Sequence, residues 1–277
     1  MKKRIKHKKN RIMRKFKRYI FISVLLFCSL ISKAQFDSEK YDKVSFLIGT
    51  LDEYLGYQRV FKAGVDDFNY HRVDIYFQNE LKNALYIDSI FRSDYPDIHI
   101  VNNGASKGIK LYSNTLSAVI DKYYNYKPSW NKTIKGDTIY SGELKKEMLR
   151  TEKQKLSFLF GAFFRFGACE TKEGEPSKDK KIVMEKFSDR PFIHMMDRID
   201  STKRDAKCIK YCIETPNAPG KAQICAQLLM EFGCEDVEYI FYKGYIPVSH
   251  FAIFKPSEKI KQMIDDVESL KMQILRH

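Results

Sequence analysis

Tyr41, Val44, Leu47, Ile48, Leu51, Tyr54 and Leu55 recur at intervals of three and four, which lays one apolar stripe along a helix. A helix over 38–57 is predicted, opened by Ser38 as N-cap and stopped by Gly56. Two runs rich in β-formers follow, YQRVFKAG from Tyr57 and YHRVDIYF from Tyr70, and both read as strands. Residues 79–95 predict a second helix ending before Pro96, and 97–113 a hairpin with a glycine-containing loop. NTLSAVIDKYYNY, 114–126, predicts a third helix capped by Ser113 or Asn114.

The segment 127–142 breaks this rhythm with Pro, Gly and polar residues and reads as a linker with a small hairpin of its own. Beyond it, 143–167 predicts a long helix stopped by Gly167. Its part from Leu156 to Phe166 is apolar nearly all round, so that end is expected to be fully buried. A charged loop, 170–181, leads to a strand at 182–187 and another at 207–215. A helix over 220–232, strands at 237–244 and 250–255, and a final helix from Glu258 capped by Ser257 complete the pattern.

Both halves therefore read helix, two strands, helix, two strands, helix. SFLIGTL at Ser45–Leu51 is echoed by SFLFGAF at Ser157–Phe163, each on the first helix of its half. The expected fold class is α+β: two tandem αββαββα repeats related by a pseudo-twofold, with antiparallel or mixed sheets and helices on one face. The first repeat is placed at 35–126, the linker at 127–142 and the second repeat at 143–277.

Residues 1–34 change the charge picture. YIFISVLLFCSLI, Tyr19–Ile31, is apolar, follows a cluster of Lys and Arg, and ends in SKAQ. Basic region, short apolar region and small residues before a cut between Ala34 and Gln35 make a signal peptide. Met1 and Met13 both stand as candidate starts. A segment of thirteen residues falls short of the roughly 20 that span a bilayer. Residues 1–34 hold 12 of the 49 Lys and Arg and none of the 35 Asp and Glu, so the mature chain carries 37 against 35, a net of +2. The basic pI belongs to the targeting segment and points to no nucleic-acid partner.

Cys169, Cys208, Cys212, Cys225 and Cys234 all fall in the second half. In an oxidising compartment one or two disulfides are expected. Cys208 and Cys212 would lie on one strand face about 13 Å apart, too far to join each other. Either can pair with Cys225 or Cys234, while buried thiols are the plainer alternative.

The tandem αββαββα order is similar to the LAGLIDADG domain of homing endonucleases. The nine-letter motif can be laid on Leu159–Gly167, matching Leu159, Gly161 and Gly167, and on Leu47–Leu55, matching Leu47, Gly49 and Asp52. The resemblance implies two motif helices packed side by side at the pseudo-twofold, with Gly49 and Gly161 allowing close approach. It also implies a carboxylate near each helix end to hold a divalent metal. Those two positions are Tyr54 and Phe166, which supply no hard oxygen ligand pair.

No G-x-S-x-G, phosphate loop or H-E-x-x-H is present. No catalytic residue, metal or cofactor is therefore predicted. The aromatic run Tyr123, Tyr124, Tyr126 and Trp130 offers rings for stacking on a ligand, or for packing the linker onto the repeats. The expected function is an exported, periplasmic or extracellular, non-catalytic protein binding a protein or glycan of the cell envelope. It would meet membrane only during export. The alternatives are a degenerate LAGLIDADG-like nucleic-acid binder that stays inside, and an envelope enzyme whose site the sequence does not reveal.

Overall fold

Helix α1 spans Lys43–Thr50. It is shorter than predicted because Asp42, not Ser38, is its cap, with the Asp42 carboxylate accepting from the Ser45 amide at 2.7 Å. The computed structural model describes residues 36–51, 57–61, 71–102, 108–133, 135–171, 208–216, 219–242 and 248–276. These belong to one body, Phe36–Arg276. Ala34 and Gln35, the expected cleavage pair, and the strand expected at 182–187 lie outside the described residues.

The remaining elements are β1 (Tyr57–Arg59), β2 (Arg72–Tyr76), α2 (Leu81–Phe91), β3 (His99–Asn102), β4 (Ile109–Tyr112) and α3 (Asn114–Asp121). They continue with β5 (Tyr124–Lys132), β6 (Thr138–Leu144), α4 (Glu152–Phe166), β7 (Gly167–Thr171), β8 (Cys208–Pro216), α5 (Pro219–Glu231), β9 (Glu235–Tyr242), β10 (Val248–Lys255) and α6 (Glu258–Arg276). The fold is mixed helix and sheet, and every described strand pairing is antiparallel. Three sheets form, in the orders β1-β6-β5, β2-β4-β3 and β7-β8-β10-β9.

The structure departs from the predicted pattern in three places. Residues 124–126, expected at the end of the third helix, open β5, because α3 stops at Asp121 and the chain turns through Tyr123, whose amide donates to Ile120 O. The segment 127–142 forms most of the β5–β6 hairpin, and β1 pairs with β6 instead of joining β2. The long helix expected from 143 begins at Glu152, where Thr151 and Gln154 form a capping box.

Burial follows from the apolar runs. Every residue from Leu156 to Phe166 is buried, as an all-round apolar helix requires. Phe46 of α1 meets Phe160 and Phe164 of α4, each with ring centroids 5.4 Å apart, and Tyr86 of α2 reaches Phe164 at 5.8 Å. Helix α6 buries Ile260, Met263, Ile264, Val267, Leu270 and Ile274, a stripe at helical spacing, and packs on α4. On β4, Ile109 and Leu111 are buried while Lys110 and Tyr112 are half-buried, so one face of sheet β2-β4-β3 is covered and the other only partly so.

Helix α3 carries its own anion. Ser113 caps it through Leu116 N, and the Asp97 carboxylate accepts from the Ser113 hydroxyl at 2.8 Å and from the Thr115 hydroxyl and amide at 2.6 and 3.1 Å. Burial alone would raise the Asp97 carboxyl, but these bonds, with one from the Asn114 amide, together hold it at about 2 against an ordinary 3.8. A depressed carboxyl stabilises the fold above its ordinary value, and that contribution fades as pH falls from 3.8 towards about 2. Asp97→Asn is expected to flatten this part of an acid-unfolding curve; a curve unchanged from wild type would remove Asp97 from the account.

Candidate functional site

The first place to look is where α1 crosses α4. Gly49 and Gly161 face each other there: a Cβ on Gly49 would stand 2.1 Å from Phe158 O, and one on Gly161 would stand 2.0 Å from Phe46 O. The same offset along the chain that carries Gly49 onto Gly161 carries Phe46 onto Phe158, so the contact is reciprocal. Backbones this close exclude any side chain at either position.

Just beyond the crossing, two cations close the end of α1. Lys221 of α5 is 1% exposed, and its ammonium donates to Ile48 O and Gly49 O at 3.2 Å and to Leu51 O at 2.5 Å. Arg165 of α4 takes Thr50 O at 2.8 Å. The four consecutive carbonyls from Ile48 to Leu51 thus all accept from a buried cation, which suits the negative end of a helix dipole.

Arg165 uses its whole donor set. Nε reaches Glu80 Oε1 at 2.8 Å, Nη1 reaches Asp74 Oδ2 at 2.7 Å as well as Thr50 O, and Nη2 reaches Ile75 O at 2.7 Å and Glu80 Oε2 at 3.1 Å. Five N–H groups meet five acceptors. The guanidinium also lies over the Tyr76 ring at 4.5 Å, a cation–π contact. Sequence reading missed this cluster, although a lone arginine inside Leu156–Phe166 was a signal, since a buried cation calls for acids.

Phe166, one of the two motif positions of the resemblance, is buried with Lys221 Nζ 5.6 Å from its ring centre. Tyr54 and the neighbouring acids Asp52 and Glu53 lie outside the described residues.

The second place is the aromatic end of sheet β1-β6-β5. Tyr123 and Tyr124, offered either for stacking or for packing, are 8% and 2% exposed and belong to the core, so they offer no face to a ligand. Tyr126 is half-buried, with its hydroxyl donating to Asp121 Oδ1 at 2.6 Å. Phe61, which sequence reading did not select, is 51% exposed and stands edge-on to Tyr126 at 5.0 Å and to Tyr140 at 5.3 Å. Trp130 is 92% exposed.

The base of this cluster is held firmly. Arg59 Nε donates to Asp121 Oδ1 at 2.7 Å, and its other nitrogens reach the carbonyls of Arg72 and Ser117. His71 stands beside it with φ 56°, among the described residues the one non-glycine in the left-handed region, a strained conformation. Burial first, and the Arg59 charge second, hold the His71 imidazole below its ordinary value.

Of the four cysteines considered for disulfides, Cys225 and Cys234 are buried and no disulfide joins them. Burial pushes the Cys234 thiol up, so it is a poor nucleophile. Cys208 and Cys212 lie in β8, their side chains outside the described residues. No protein-family model, curated protein or solved structure matches the chain.

Proposed function

We propose that this chain is an exported, non-catalytic binding protein built from two copies of an αββαββα unit, and that it takes a protein or glycan of the cell envelope on the aromatic end of sheet β1-β6-β5. The observation that carries binding is Phe61, a half-exposed ring braced by Tyr126 and Tyr140, with the buried Arg59 paired to a half-buried Asp121 at the base of the cluster. Such a base fixes the rings before a ligand arrives, which reduces the ordering cost of binding.

Three observations support the duplication. The element order repeats. Strands two, four and three of each half neighbour one another in that order, β2-β4-β3 and β8-β10-β9. The Gly49–Gly161 contact is reciprocal at the offset that relates SFLIGTL to SFLFGAF. The same three favour, as a second reading, descent from a LAGLIDADG-like nucleic-acid binder.

One observation argues for the first reading over the second. The half-buried face of sheet β2-β4-β3 presents Lys110 between Ile75 and Val101, whereas a phosphate backbone needs several cations.

The test is a glycan array and a panel of purified envelope proteins probed with wild type and Phe61→Ala. Binding at least tenfold weaker in the variant, at unchanged melting temperature, is the expected result. Equal binding by both would sink the aromatic site. Salt-sensitive binding of duplex DNA with no envelope ligand would favour the second reading.

A further inference from the structure

We propose that the β5–β6 hairpin is a membrane-docking element, which seats Trp130 in the interface of an anionic lipid surface. This contact goes beyond the passage through a membrane that export requires, and it does not depend on the aromatic site around Phe61.

Trp130 is the single tryptophan of the chain and is 92% exposed. It sits where the pairing of β5 with β6 breaks, between Pro128 and Lys132. On a regular strand its neighbours across the ladder would cover part of the indole, and the break in register is what sets the ring free.

Four features choose among the occupants such a ring could have. Strand β5 is an edge of its sheet, but Pro128 and the broken register deny a visiting strand its ladder of hydrogen bonds, which excludes β-augmentation. No other described ring stands beside the indole, the nearby contacts joining Phe61 to Tyr126 and Tyr140 instead. A sugar clamp pairs a ring with a wall of polar groups, and a side chain 92% exposed has no such wall.

The flanks are cationic. Lys132 precedes the turn and Lys135 lies in it, both exposed, and Lys127, 76% exposed, stands one residue before Pro128. Two acids stand nearby, Glu143 paired with Lys127 at 3.1 Å and Asp137 3.5 Å from the Thr133 hydroxyl, so the three lysines leave a positive excess of one. An indole that is apolar in body with one N–H donor, flanked by lysines, matches the lipid headgroup layer. Lysines beside a membrane surface add attraction for anionic lipid.

The hairpin is also closed firmly at its tip. Its turn is closed by Gly136 at φ 85°, with the Gly136 amide donating to Thr133 O at 2.9 Å. Thr133 N donates to Asp137 O at 3.0 Å. Such a closed turn presents Trp130 and the lysines on a fixed support.

Because Trp130 is the one tryptophan, its fluorescence reports the contact directly. The experiment uses the chain from Gln35 to His277, so that the apolar segment 19–31 contributes nothing; its body, Phe36–Arg276, is compact without residues 1–34. It is titrated with vesicles of phosphatidylcholine alone and of phosphatidylcholine with phosphatidylglycerol, and with soluble glycerophosphate. The expected result is a blue shift and co-sedimentation with the anionic vesicles. Trp130→Ala should lose the co-sedimentation, and Lys132→Ala with Lys135→Ala should bind roughly 25-fold more weakly.

Phe61→Ala should bind the vesicles as wild type does, which separates this test from that of the aromatic site. The proposal is overturned by no shift with any vesicle, by a shift with glycerophosphate alone, or by a shift that follows protein concentration without lipid. Co-sedimentation unchanged in Trp130→Ala overturns it as well.

Discussion

Alanine at Gly161 is expected to lower the unfolding free energy by about 3 kcal/mol, read from the midpoint of a urea transition. The added Cβ would stand 2.0 Å from Phe46 O and 3.1 Å from the Gly49 Cα. Both obstacles are backbone inside a helix, so relief requires α1 and α4 to separate. Separation loosens the ring layer of Phe46, Phe160 and Phe164, and packing at native density tolerates such gaps poorly. Alanine is intrinsically the better helix former by about 1 kcal/mol. A variant as stable as wild type, or more so, would therefore show that the helices do not meet there.

Gly49→Ala is expected to behave alike, with its Cβ 2.1 Å from Phe158 O. The double variant should lose less than the two single losses combined, because one separation of the helices relieves both clashes. Strict additivity would mean that the two glycines act independently.

Arg165→Met is expected to cost about 3–5 kcal/mol, since it leaves the Asp74 and Glu80 carboxylates buried without their cation. Their side chains are 2% and 8% exposed, so water cannot replace the guanidinium. Arg165→Lys should recover little, because an ammonium offers three donors in place of five and lacks the planar fork. An unfolding free energy equal to that of wild type would show that the guanidinium is not what holds the two carboxylates.

How much of the fold was legible in the sequence depends on the range of the interaction. The apolar run from Leu156 to Phe166 announced a buried helix, and α4 buries each of those residues. Ser113 announced the start of α3 and Gly167 the end of α4. These signals are local: a periodic stripe, a cap and a glycine act within one turn of chain.

The misread elements share one cause. Strand β5 takes residues that look like the tail of a helix, because β6 returns beyond the turn to pair with them, Tyr124 opposite Leu144. The partner of β1 is also β6, with Tyr57 opposite Gly142, although β2 to β5 and two helices intervene in the chain. Strand pairing across such distances is decided by packing of the whole body, which no local window contains.

The candidate site was legible only in part. Tyr123, Tyr124, Tyr126 and Trp130 were all selected as one aromatic run, yet the end of α3 and the break in register of β5 beyond Pro128 divide them. Two face the core, one is anchored to Asp121, and one points to solvent. Phe61 and Tyr140 come from other segments and meet Tyr126 only because β1, β6 and β5 lie side by side.

The sequence by itself determined the alternation of helices and strands, the buried character of α4 and the place of each glycine, because these follow from side-chain chemistry over a few residues. Only the tertiary structure decided that Gly49 meets Gly161, that Arg165 and Lys221 close the end of α1, and that Trp130 stands alone at a break in register. Each of those depends on groups from distant parts of the chain being brought into contact. It is the packing of the whole body that brings them there.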